Sequence, residues 1–231
     1  MSSSDSLTRL NKYLALHLGM SRREADEMIA SGRVKINDGP AAIGQQVTET
    51  DLIVVDDIEL KKQVDYIYIA LHKPRGYVCS RKQQGSIPTI YSLLPKKYHN
   101  LKPVGRLDAN SSGLILLTND GDFAHRMTHP KFVKQKTYLV TLDGELEPLH
   151  QQMINDFGVQ LDDGSSKLTL TRQHDDSRKQ WIVQMSEGRN RQIRRTFAAL
   201  GYTVAKLHRT QFGDYQLGSL KRGEFQKTMV I

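Results

Sequence analysis

The sequence is short of the residues that most often carry metal and disulfide chemistry. Cys79 is the only cysteine among 231 residues, so no internal disulfide can form and no cysteine cluster can hold a metal. No window approaches 18 consecutive apolar residues, which excludes a transmembrane helix. The opening MSSSDSLTRLNKY has no apolar stretch of the kind a signal peptide needs. A cytoplasmic protein is expected. No glycine-rich loop ends in Gly-Lys-Ser/Thr and no dinucleotide fingerprint occurs, so nucleotide hydrolysis and dinucleotide binding have no support. His125 and His129 stand i, i+4, but Arg126, Met127 and Thr128 between them include no glutamate of a zinc-protease motif. Neither a metal nor a cofactor is expected, and no internal repeat or low-complexity run appears.

Acidic residues are also scarce, and unevenly so. The chain has 33 Lys and Arg against 25 Asp and Glu, a net charge of +8. Residues 1–64 hold 8 basic and 10 acidic residues, which leaves 25 against 15 in residues 65–231. Within the first part the signs separate: six basic residues fall between Arg9 and Lys35, and six acidic ones with no basic residue between Ile36 and Leu60. Two basic patches without a basic amphipathic helix suit nucleic acid better than a membrane.

The first sixty residues read as a compact α-α-β unit. Leu10, Tyr13, Leu14 and Leu18 take the spacing of one helical face, and Gly19 is a natural stop. Ser21-Arg22-Arg23-Glu24 is a capping box that starts a second helix with Ala25, Met28 and Ile29 on its buried stripe. Val34 and Ile36 alternate with polar residues before the hairpin signal Asn37-Asp38-Gly39, and a strand follows at Leu52–Val55. Arginines in the first turn of a helix oppose its macrodipole, so Arg22 and Arg23 point to phosphate contact rather than to stability. Arg9, Lys12 and Arg33 belong to the same basic patch and are expected to serve with them.

Lys61-Lys62-Gln63-Val64-Asp65 reads as a linker. Beyond it strands are expected at Ile67–Leu71, Leu114–Leu117, Tyr138–Leu142, Leu168–Thr171 and Trp181–Met185. Helices are expected near Phe123–Met127, Leu149–Phe157 and Arg191–Leu200. Strands predominate and do not alternate regularly with helices, so the fold class is α+β, with a mixed, mainly antiparallel sheet flanked by helices. The domains are expected at 7–62 and 66–231.

Two segments carry ionisable groups that local structure does not need. Between Glu187 and Arg195, four arginines fall in seven residues at the entry to a helix. Arg191 and Arg195 are like charges at i, i+4, which costs a few tenths of a kcal/mol in an isolated helix. An anion should offset them, either a phosphate or a carboxylate. The second segment, VGRLDANSSGLILLT, puts Asp108 just before an apolar run that belongs in a core. Asp108 could simply begin a turn. Asn110, Ser111 and Ser112 already supply that chemistry, however, and Arg106 with the arginines of 189–195 could keep a half-buried carboxylate ionised.

GRLDANSSGLILLT resembles the catalytic motif of the bacterial ribosomal-RNA pseudouridine synthases, the RsuA family. ALHKPRGYVCS (70–80), QKTYLVTL (135–142), EGRNRQIRR (187–195) and KLHRTQFGDYQLGSLKRGEF (206–225) resemble its other motifs, in order. Residues 7–62 resemble the S4-like RNA-binding domain. The resemblance implies isomerisation of a uridine to pseudouridine in rRNA, with Asp108 as nucleophile, Tyr138 assisting proton removal and Arg194 paired with Asp108. Leu207 would pack below the target base, and Lys73, Arg106, Arg189 and Arg191 would contact substrate, with Arg106 as an RNA contact or flipping aid. The S4-like unit would dock RNA through Arg9, Lys12, Arg22, Arg23 and Arg33. The implied partner is rRNA or a ribosomal assembly intermediate, met by a monomer, with 16S rRNA favoured and 23S rRNA the alternative. A non-catalytic RNA-binding assembly factor is the rival from another class. An Asp-based glycosidase would need a second carboxylate near Asp108, and none is evident.

Overall fold

A computed structural model describes residues 7–60, 65–81 and 85–231, so most of the expected linker lies outside the described residues. Tertiary contacts divide the chain into two compact units, Met1–Ile67 with Asn119–Gly121 and Tyr68–Thr118 with Asp122–Ile231. Among the described residues no helix is long and apolar enough to cross a membrane.

In the first unit, the helices Leu10–His17 and Arg22–Ala30 pack against a four-stranded antiparallel sheet. The capping box is complete: Ser21 Oγ accepts from Glu24 N at 3.2 Å, and Ser21 N donates to Glu24 Oε2 at 2.6 Å. Leu10, Leu14, Ala25 and Ile29 meet Val34, Ile36, Ile53 and Val55 in the core. Leu18, expected on the stripe, is instead the exposed residue after the first helix. Two hairpins fold the sheet. Asn37 and Asp38 have φ of 47° and 67°, and Asp56 and Asp57 have 49° and 62°. Turns of this hand match the twist of the strands, and Asn and Asp tolerate positive φ best after glycine. The second hairpin adds the strand Ile58–Glu59, which the sequence reading lacked.

The second unit is built on a nine-stranded mixed sheet. Its main path runs Thr169–Arg172, Gln180–Met185, Lys136–Leu142, Val204–Phe212, Ser112–Thr118, Tyr68–Lys73 and Phe225–Lys227. Every neighbouring pair on this path is antiparallel except Val204–Phe212 with Ser112–Thr118. The apolar run of Ser112–Thr118 is buried along its whole length. Each such leucine or isoleucine contributes about 1.5–3 kcal/mol relative to exposure. The parallel crossing is tight. A Cβ added to Gly113, whose φ is +112°, would lie 2.1 Å from the carbonyl oxygen of Arg209, so only glycine fits there. The helices are Gly121–Thr128, Pro148–Gln152 running into a π turn at Met153–Phe157, and Gln192–Ala198. The last is shorter than expected, because Arg191 stands outside it in the left-handed region, at φ 46° and ψ 30°.

Candidate active site

The Gly105–Ser111 segment enters the sheet through Ser112, and its conformation is fixed from below by a buried cation. Lys73 is fully buried. Its ammonium donates to the carbonyls of Pro74 at 3.0 Å, Asp108 at 3.0 Å and Ser111 at 2.6 Å. Burial pushes its pKa down to about 8, with Cys79 and Asp108 acting in the opposite sense. Gly76 N donates to Ala109 O at 2.7 Å, and Cys79 Sγ lies 3.4 Å from both N and O of Leu107. The expectation that Lys73 touches substrate is therefore corrected: with no exposed surface and three carbonyl acceptors, it pins the loop from beneath.

Above that pin the Asp108 side chain remains 34% exposed. Arg191 Nη1 lies 3.4 Å from Asp108 Oδ2, and Arg194 Nε lies 3.8 Å from the same oxygen. Arg194 meets the carboxylate through this one nitrogen and makes no two-point contact with it. Its Nη1 donates to Val204 O at 2.8 Å, and its Nη2 donates to Asn110 O and Ser111 Oγ, both at 3.3 Å. Only the buried Nε, which has no hydrogen-bond partner among the described residues, is left facing the carboxylate. Burial lowers the pKa of Arg194, Arg191 and Arg75 add to that effect, and Asp108 opposes it.

The other two arginines of the segment pair with other carboxylates. Arg189 Nη1 lies 2.8 Å from Asp163 Oδ1 and its Nε 3.2 Å from Glu187 Oε2. It also donates to the carbonyls of Asp163, Gly164 and Ser165. Arg195 Nη2 reaches Asp163 Oδ2 at 2.7 Å. The anions that offset this cluster are thus the protein's own carboxylates. Arg189, expected on substrate, lines the same cavity as Asp108, with its guanidinium held by four acceptors on the Val159–Ser166 hairpin and by the Glu187 carboxylate.

A cavity of about 190 Å³ opens beside Asp108. Tyr138, Met185, Ile193, Leu207 and Phe212 give it an apolar lining, while Arg106, Asp108, Arg191, Lys136 and Arg209 bring the polar groups. Tyr138 and Leu207 are both nearly buried, on the adjacent strands Lys136–Leu142 and Val204–Phe212. Arg106 is exposed. Asp108, Tyr138, Leu207, Arg191 and Arg106 thus line one cavity, and Arg194 stands behind Asp108. Lys136 and Arg209 were not singled out in the sequence. The period of two along a strand was the available signal, since it puts Lys136 on the face of Tyr138 and Arg209 on the face of Leu207.

In the first unit, Arg9, Arg22, Arg23 and Arg33 are exposed and Lys12 is half-buried. Arg22 donates to Asn11 Oδ1 at 3.1 and 3.3 Å. Arg33 forms a two-point ion pair with Asp56 through Nε and Nη2.

A loop carboxylate between arginines, over an apolar cavity in a mainly antiparallel sheet, defines a class that the comparisons specify. Residues 67–199 match the family described as RNA pseudouridylate synthase, and residues 8–53 match the S4 domain. A ribosomal small subunit pseudouridine synthase A of Pasteurella multocida is 38% identical over 226 residues, covering 94% of both chains. A ribosomal large subunit pseudouridine synthase B of Bacillus subtilis is 34% identical over 224 residues, covering 94% of this chain and 91% of that one. A crystal structure of a pseudouridylate synthase superposes with a TM-score of 0.68 at 34% identity, covering 96% of each chain. The chain belongs to the RNA pseudouridylate synthases and, with its S4 domain and these relatives, to the RsuA family.

Proposed function

We propose that this protein converts one uridine of small-subunit (16S) ribosomal RNA to pseudouridine, with residues 66–231 as the catalytic domain and residues 7–62 as the RNA-docking domain. The observation that carries the reading is Asp108. Its loop is fixed from beneath by Lys73 through the backbone carbonyls of Asp108 and Ser111, and its carboxylate is flanked by Arg191 and Arg194, at the edge of a cavity lined by Tyr138 and Leu207. The choice of 16S over 23S rRNA follows a narrow margin, small-subunit relatives at 37–38% identity against large-subunit relatives at 34–36%.

A uridine inside an RNA stack cannot reach such a cavity, so the nucleotide must be extruded, at a cost of a few kcal/mol offset by contacts to the protein. The base then stacks on Leu207 and Tyr138, and Arg106, exposed at the cavity edge, contacts the RNA that the base has left. An ionised Asp108 acts as nucleophile, either at C6 of uracil or at C1′ of the ribose. The N1–C1′ bond breaks, the uracil turns within the cavity, C5 bonds to C1′, and the bond between Asp108 and C6 or C1′ breaks to free the carboxylate. The C5 proton leaves with help from Tyr138 and N1 gains one, so the product is an isomer and nothing is consumed. Arg191 and Arg194 keep Asp108 charged and oriented.

RNA labelled with tritium at uracil C5 tests the reaction, because the label leaves only when C5 is glycosylated. Wild type should release it from rRNA or an assembly particle, and Asp108→Asn should lower the rate by about 10⁴-fold or more with RNA binding retained. Full activity in Asp108→Asn would sink the assignment. Mapping pseudouridine in both rRNAs of a deletion strain tests the target: loss of a 23S site with 16S unchanged would move it to the large subunit. In the docking domain, Arg22→Ala with Arg23→Ala should weaken RNA binding and lower its salt dependence by about one unit of slope per lost phosphate contact. A slower single-turnover rate at saturating RNA with binding unchanged would remove both residues from that role.

A further inference from the structure

The cavity has a second cationic end that the ion pairs at Asp108 do not use. Lys136 and Arg209 both line it, together with Phe212. The three side chains are packed as a group. Lys136 Nζ lies 5.4 Å from the centroid of the Phe212 ring, and the guanidinium carbon of Arg209 lies 4.7 Å from it. In the strand register Lys136 stands opposite Phe212 and Arg209 opposite Tyr138.

Arg209 is 2% exposed. Its Nε donates to Leu114 O at 2.8 Å, but its Nη2 is buried with no hydrogen-bond partner among the described residues. Lys136 meets only neutral acceptors, the carbonyls of Lys134 and Ser186 at 3.4 Å and of Glu187 at 3.2 Å. The nearby carboxylates are engaged with other cations: Glu187 and Asp163 with Arg189, Asp163 also with Arg195, and Asp108 with Arg191 and Arg194. Burial chiefly, and then the charge of Arg209, hold the Lys136 ammonium below the ordinary lysine range, with Glu187 opposing. A purely structural Arg209, bonded to Leu114 and stacked on Phe212, accounts for Nε and the guanidinium face. It accounts neither for the orphaned Nη2 nor for a second cation beside it, and each is costly to bury without an anion.

We propose that Lys136 and Arg209 form an anion subsite that takes a phosphate of the target nucleotide, fixing how far the strand enters the cavity. The proposal rests on the RNA-modifying reading above and makes both side chains positioning residues. A uracil carbonyl would satisfy one N–H but leave two like charges uncompensated. A phosphate supplies a full negative charge and at least two acceptor oxygens, and such contacts are the ones that set register on a nucleic acid.

The test is a binding titration by NMR with uridine, uridine 5′-monophosphate and uridine 3′-monophosphate, on wild type, Lys136→Met, Lys136→Arg and Arg209→Gln, with folding checked by near-UV circular dichroism. One monophosphate should bind wild type about tenfold or more tightly than uridine. That preference should collapse in Lys136→Met and in Arg209→Gln and survive in Lys136→Arg. On 16S and 23S rRNA transcripts, Lys136→Met should lower the salt slope by about one. Equal affinity of wild type for uridine and both monophosphates would overturn the proposal. So would a preference that outlasts Lys136→Met, or a loss for uridine as large as for the monophosphates, which would put the base edge there instead. Tritium release by wild type is scored separately. Its absence together with a Lys136-dependent phosphate preference would reject the isomerase reading and leave the subsite standing.

Discussion

Two pairs of arginines in one seven-residue segment meet two carboxylates in opposite ways. Arg189 and Arg195 close on Asp163 at 2.8 and 2.7 Å, and Arg189 has further acceptors on the same hairpin. Arg191 and Arg194 stand 3.4 and 3.8 Å from Asp108. The first arrangement is the closer one and fixes the segment to the Val159–Ser166 hairpin. The second leaves Asp108 charged but loosely held, with oxygens available to a reactant. Arg191 stands between the two tied arginines in the left-handed conformation, which a non-glycine residue keeps only where its neighbours are held.

The largest change in this contrast should come from the side that faces Asp108. Arg194→Met removes the Nε beside the carboxylate and the donors to Val204, Asn110 and Ser111. Single-turnover tritium release should fall by about a hundredfold, and Arg194→Lys should recover only part, since an ammonium cannot serve those acceptors together. A folded Arg194→Met with a rate within about twofold of wild type would detach Arg194 from Asp108. Next in size is Lys73→Met, which leaves the carbonyls of Asp108 and Ser111 without their charged donor. A stability loss of about 1–3 kcal/mol is expected, together with a slower rate, read by urea unfolding and tritium release. An unchanged rate would show that the loop holds its shape without the pin.

How much of this was legible depended on the range of the forces involved. The capping box at Ser21, the Asn37-Asp38 hairpin and the buried Leu114–Leu117 run are local patterns, and all three are in the structure. The strand Val204–Phe212, which carries Leu207 and Arg209, was missed. Its pairing with Lys136–Leu142 slips at two irregularities, and a buried arginine stands where an apolar residue would mark the inner face. The pairing of Arg194 with Asp108 came from family resemblance, and composition could not have supplied it. Which arginine meets which carboxylate depends on where the Val159–Ser166 hairpin brings Asp163, and no local pattern encodes that. Lys73 sat inside a quoted motif, yet its burial beneath the loop was invisible until the strand Tyr68–Lys73 was seen against Ser112–Thr118.

The smallest effect should come from the Asp163 side, and its pH dependence separates it from the other. The hydrogen bond from Arg195 holds the Asp163 carboxyl below its ordinary value of 3.8, the charges of Arg189 and Arg195 add to that, and burial opposes it. A carboxyl with a lower pKa in the folded than in the unfolded chain contributes stability above the unfolded value, and that contribution is lost as pH falls through the folded value. Asp163→Asn should therefore melt below wild type near neutrality, and the gap should close as pH drops below 3.8. Tritium release at neutral pH should fall only about two- to fivefold, because Asp108, Arg191 and Arg194 remain and exposed ion pairs contribute little. A rate loss as large as that of Arg194→Met would mean the two carboxylates act as one network. No melting gap at any pH would mean that the hairpin is held by the carbonyl contacts of Arg189 and not by the charge of Asp163.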